Sequence, residues 1–284
     1  MKVCSLYGAG YYYIPGTDIC MKVGGYVRYQ ANWSNGGNSI SNGPAEGSGG
    51  RNPRTDSADW QQRTRAVATF DTRQQTQYGT LRTYLLMGFQ QDTTAGAPTT
   101  SPAVYISRGF IQIAGFTFGK ATSFYDFFPR AALAYNAGSI FAADTGDGGQ
   151  MLAAYTAQLG NGVSASISLE DQSAYLQSNL WNATGITAAT FPTGINGTNS
   201  YAGTQVPDIV GKVRVDQAWG LFQVSAAAHQ VRASYYNTAN ETSGHPGDKW
   251  GYAVQAAASG EEALQKLGAG TFDLLLTDLR MSGM

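Results

Sequence analysis

The links between the patterned segments of this chain take turns in length, and that rhythm constrains the fold more than any single motif. Asn32 to Gln61 is a long Asn/Gly/Ser/Pro stretch, and Arg73 to Gln77 is a short turn. Gln91 to Ala103 is long, Ala114-Gly115 is tight, and Lys120 to Gly149 is very long. Gly160-Asn161-Gly162 is short, and Asn-Gly is a strong hairpin signal. Asp171 to Val206 is long, Gln217 to Gly220 short, and Ala233 to Lys249 long again. A compact domain in water has little use for structureless links of that length. A membrane barrel produces them, because its periplasmic turns are short and its external loops long.

Between the links, apolar residues recur at every second position. Leu81, Thr83, Leu85, Met87 and Phe89 alternate with Arg82, Tyr84, Leu86, Gly88 and Gln90. Val163, Ala165, Ile167 and Leu169 oppose Ser164, Ser166, Ser168 and Glu170; Met151 to Leu159, Ile209 to Asp216 and Phe222 to His229 behave alike. Met21 to Asn32, Gln61 to Thr72, Val104 to Ala114, Gly115 to Gly119 and Trp250 to Gln255 are weaker members. Side chains on a strand point to opposite faces in turn, so each segment has one greasy and one wet side. Alternation alone also fits a soluble, secreted β-sandwich acting as a binding module.

Composition favours the membrane reading. Charged residues make up 13% of the 284, where a soluble domain usually carries about 25%. The net charge of -1 recommends no nucleic acid partner. No apolar run reaches the roughly eighteen residues of a membrane-spanning helix. Met1-Lys2 lead straight into Val3-Cys4-Ser5 with no apolar leader, so the expectation is a truncated start or a chain that stays in the cytoplasm. The two cysteines, Cys4 and Cys20, either close a loop in an oxidising compartment or stand as unpaired thiols.

The segments "KVCSLYGAGYYYIPGTDICMKVGGYVRYQ", "FIQIAGFTFGKATSFYDF" and "GDKWGYAVQAA" resemble the porins of alphaproteobacteria, over approximately Lys2 to Ala257. The resemblance implies a trimeric outer-membrane channel of about sixteen antiparallel strands per chain, passing small hydrophilic solutes and ions by diffusion. Here only about ten strands precede the tail, so the expected fold is all-β: an incomplete transmembrane up-and-down barrel over 1–257.

Residues 258–284 follow another grammar. Glu261 to Leu267 reads as a helix, and Phe272 to Leu276 as a strand buried on both faces. "GEEALQKL" and "FDLLLTDLRMSGM" resemble the middle of a two-component receiver domain, a short α/β fragment joined to the porin part. That resemblance places the phosphoacceptor at Asp278. The acidic pair that holds Mg²⁺ and the late lysine are missing, so Asp278 is expected to be idle and a signalling role is the weaker alternative.

In a barrel, an arginine on the lipid side costs about 2–4 kcal/mol at the midplane. Arg63, Arg65, Arg82 and Arg108 are therefore expected to line the lumen, with Arg28 and Arg214 as further basic candidates. Lys120 to Gly149 occupies the place of the family's inward-folded loop and carries Asp126, Asp144 and Asp147, which would oppose the arginines across a constriction. Trp33, Trp60, Trp219 and Trp250 stand near strand ends, where aromatic girdles lie. No nucleophile–base pair, phosphate loop or metal-ligand cluster occurs, so no enzyme activity, cofactor or metal is expected.

Overall fold

The computed structural model describes residues 2–33, 60–92, 103–127, 149–171, 201–237 and 239–259, with positions 173, 180 and 182 and the pair 276–277. It forms two compact units, Met1–Thr122 with Phe128–Met151, and Ser123–Phe127 with Leu152–Met284.

In the first unit β1 (Tyr12–Tyr13), β2 (Cys20–Trp33), β3 (Trp60–Thr76), β4 (Gly79–Asp92), β5 (Ala103–Ile113) and β6 (Phe116–Ala121) follow in chain order. Each is antiparallel to the next. In the second, β7 (Gln150–Gly160, from Leu152 onward), β8 (Val163–Glu170), β9 (Asp208–Gln217), β10 (Gly220–Val231) and β11 (Lys249–Ser259) do the same. Two residues, β12 (Leu276–Thr277), pair with Ala257 and Ala258 of β11, and this pair alone among the described strands is parallel. The described residues hold no α-helix, only two 3₁₀ turns at Ser5–Tyr7 and Glu241–Ser243. The expected helix at Glu261 to Leu267 lies outside the described residues.

All ten expected strands are present. The eleventh antiparallel strand, Tyr12–Tyr13, is too short for any periodicity to reveal it. The short turn expected at Arg73 to Gln77 moves: Arg73 to Thr76 remain in β3, opposite Arg82 to Gly79, and only Gln77–Tyr78 turn the chain. Those four residues are polar on both faces, so they read as loop although their backbone is fully laddered. Asn161 and Gly162 link β7 and β8 with φ of 48° and 71°, the left-handed pair that a two-residue hairpin requires.

Register sorts the side chains. In β2–β4, Val23, Val27, Phe70, Leu85 and Phe89 share one face; Lys22, Arg28, Arg65, Asp71, Arg73 and Arg82 share the other. β5 holds this sorting through a bulge. Arg108 lies opposite Leu86 and Ile106 opposite Met87, so Ser107 has no partner in β4 and the alternation changes phase there. In consequence Arg108 and Tyr105 both stay on the polar face, and Ile106 and Val104 both on the apolar one. That phase change is what weakened the pattern over Val104 to Ala114 in the sequence.

Burial is inverted relative to a protein built for water. Val27 is 78% exposed, Val254 70% and Leu159 64%, while Gln223 and Glu170 are 1% exposed. Full burial of a Val, Leu, Ile or Phe side chain is worth about 1.5–3 kcal/mol. A β-sandwich places its apolar rows against each other; these rows face outward. Among the described buried apolar residues, Cys4, Tyr11 and Cys20 form a small cluster, with Tyr7 and Tyr13 against it.

Candidate functional site

Each unit carries a polar face of its own, and these two faces are the candidate sites. In the first unit the face is strongly basic. Lys22, Arg28, Arg65, Arg73, Arg82 and Arg108 share it with one described carboxylate, Asp71. Arg82 donates to Asp71 from Nε and Nη2, at 2.8 Å in the closer contact, and also to Gln112 Oε1 at 3.1 Å. Arg73 donates to both oxygens of the same carboxylate at 3.3 Å. One anion thus holds two guanidiniums side by side, where cross-strand repulsion between Arg73 and Arg82 would otherwise splay them.

Arg65 stands opposite Arg28 on β2 and Gln90 on β4. Its Nε donates to Gln90 Oε1 at 2.9 Å, and its guanidinium lies 5.3 Å from the Tyr105 ring centre. Arg28 Nε and Nη2 are shielded from solvent and have no hydrogen-bond partner. Arg63 belongs to the same phase of β3, opposite Gln30 and Asp92, but its side chain lies outside the described residues. Arg108 occupies the polar face beside the bulge.

The N-terminal residues cross this face. Cys4 and Cys20 form a disulfide, and Cys20 opens β2 opposite Arg73. Cys4 N donates to Tyr11 O at 3.0 Å and Tyr13 N to Lys2 O at 3.0 Å, so the segment doubles back on itself. The Arg73 guanidinium lies 5.0 Å from the Tyr11 ring centre and 5.6 Å from that of Tyr7. Burial, with its hydrogen bond to Asp71, raises the Tyr11 phenol above its ordinary value. It stays protonated and donates.

In the second unit the root of the third long link lies on the polar face of β8–β10. Glu170 accepts from Ser123 Oγ at 2.6 Å and from Phe124 N at 2.8 Å. Gln223 Nε2 donates to Asp126 O at 3.1 Å, and Ser225 Oγ to Tyr125 O at 2.9 Å. Lys212 Nζ sits 4.4 Å from the Phe124 ring centre, and Arg214 reaches Phe127 O at 3.5 Å. Asp126 is buried, and its charge acts on Lys212 together with those of Glu170 and Arg214. Asp144 and Asp147 lie outside the described residues, as does Asp278.

The structure therefore brings Asp126 within electrostatic reach of Lys212, and brings Arg82 to Asp71. The sequence reading had passed over Asp71, Lys212, Glu170 and Gln223. Parity was the available signal: Asp71 and Arg73 share the phase of Arg65 along β3, and Lys212 that of Arg214 along β9. Among the described residues no group of three metal-ligating side chains occurs.

A family model described as a porin subfamily matches residues 1–271. Porin Omp2b of Brucella suis is 29% identical over 225 residues, covering 78% of this chain and 55% of the relative. Porin Omp2b of Brucella melitensis is 31% identical over 228 residues, covering 78% and 54%. The chain spans about half the length of these curated relatives. Among solved structures, the outer membrane channel DcaP of Acinetobacter baumannii is similar in fold. The TM-score is 0.52 at 13% identity, over 87% of this chain and 61% of that one.

Proposed function

This chain belongs to a porin subfamily, a family of the outer membrane of Gram-negative bacteria, and on that premise we propose that it forms the wall of a water-filled channel. Small hydrophilic solutes and ions would pass by passive diffusion, with no catalytic step. The observation that carries the reading is the inversion of the sheet faces: apolar rows are exposed, while Asp71, Glu170 and Gln223 of the opposite face are buried. A lipid-exposed exterior and a wet interior ask for that sorting. Closure of the strands into a barrel and assembly as a homotrimer belong to the same proposal. Inside lipid an open sheet edge would leave unpaired N–H and C=O groups.

The charged groups assign the selectivity. Arg65, Arg82 and Arg108, with Arg63, are proposed as the basic lining, and Asp126, with Asp144 and Asp147, as the acidic side of the constriction. Their net excess of positive charge favours anions. In planar bilayers under a potassium chloride gradient, Arg65→Glu is expected to move the zero-current potential toward cations. An unchanged potential would remove Arg65 from the lining, and a chain giving no conductance steps would remove the channel reading itself.

Residues 258–284 are proposed to be a separate receiver-like piece in which Asp278 is inactive. The parallel pairing of Leu276–Thr277 with β11 supports a change of grammar, whereas the family match running on to residue 271 weighs against a boundary at Ala257.

A further inference from the structure

A cleft of about 500 Å³ opens on the polar face between the N-terminal segment and β2–β4. Its wall includes Tyr7 and Tyr11 from the segment, and Lys22, Asp71, Arg73 and Tyr84 from the strands. All four strand residues belong to the polar phase. Arg73 and Arg82 lie three to four residues from the Gln77–Tyr78 turn, so the cleft is at the short-turn end, which in a membrane barrel faces the periplasm.

We propose that this cleft is a binding subsite for small organic carboxylates with a flat or ring-shaped body, held together by the Cys4–Cys20 disulfide. Three features select that chemistry. The Lys22 ammonium has no carboxylate partner among the described residues; its recorded contact is the Tyr11 ring, 5.8 Å from Nζ to the ring centre. Asp71, the one carboxylate in the wall, is already claimed by Arg73 and Arg82, so the local charge is positive. The Tyr7 hydroxyl is shielded from solvent and makes no hydrogen bond. A buried donor in that state is costly, and a ligand that turns the Tyr7 ring toward the cleft as it enters gives it an acceptor. The tyrosine rings supply flat apolar surface for the body of the ligand. Lys22 thus offers a cation to a carboxylate in the cleft, and Tyr7 a hydroxyl donor once its ring has turned. The volume lies in the range of small-molecule sites.

The role of the subsite, a resting place for anionic solutes leaving the channel, rests on the channel reading; binding itself does not. The test is therefore made without conduction. Benzoate is titrated into the full chain, refolded in zwitterionic detergent, with ligand-observed NMR, and benzamide serves as the neutral control of equal shape. Benzoate is expected to bind with a Kd of order 1 mM and to outcompete benzamide. Lys22→Gln and Tyr7→Phe, both mild changes, should each weaken benzoate about fivefold and leave benzamide unaffected. Reduction with dithiothreitol should weaken benzoate as well. Failure of benzoate to bind, equal binding of the two probes, or unchanged binding in both variants overturns the proposal. A chain that binds benzoate but conducts nothing retains the subsite and loses the channel.

Discussion

Val27→Arg is expected to destabilise the chain folded in a bilayer by about 2–4 kcal/mol. Val27 lies midway along β2, opposite Ala66, on the apolar face, and is 78% exposed. For a protein in water, a charge at so exposed a position changes stability by only about 0.5 kcal/mol in either direction. The sign and size of the effect therefore report the solvent that this face meets. Tyr26→Arg, one residue away on the polar face, provides the comparison and should stay within about 0.5 kcal/mol. Urea-dependent refolding into lipid vesicles measures both. Equal effects of the two substitutions would mean that lipid does not cover the row containing Val27.

Glu170→Ala should cost about 3 kcal/mol, the loss of two hydrogen bonds to one carboxylate. Its oxygens accept from Ser123 Oγ and Phe124 N, and the side chain is 1% exposed. Removing it leaves a hydroxyl and an amide without acceptors under a covered surface. It also leaves Lys212 facing Arg214 with less opposing charge. The root of the link after β6 should then lift from β8–β10, and chymotrypsin should cut after Phe124 or Tyr125 sooner. Glu170→Gln retains one carbonyl oxygen and should recover about half of the loss. If Glu170→Ala unfolds at the same urea concentration as the parent and is cut no faster, Gln223 and Ser225 hold the root by themselves.

Strand positions were legible in the sequence because period-two alternation is a local signal. Val163 to Glu170 is β8 from end to end, and Met21 to Asn32 falls short of β2 by one residue at each end. The wet side of each strand was legible for the same reason. Pairing across strands was not. Asp71 meets Arg82 because β3 and β4 register Arg73 against Arg82, and no count along the chain states a register. The N-terminal residues were opaque in another way. Tyr7 and Tyr11 acquire their role only when Cys4 is tied to Cys20, and two cysteines by themselves do not disclose what the tie lays the segment across. The Ser107 bulge hid in plain view, as a strand whose pattern looked poor.

Ser107 has a further consequence. Were Ser107 paired opposite Met87 instead of bulged out, Tyr105 would turn to the apolar face and Val104 to the polar one, with no change in any residue type. Length here is a phase setting, not a tolerance. In a sheet sorted so strictly, single insertions and deletions are the most disruptive changes a strand can suffer, and a second one nearby is the natural remedy for the first.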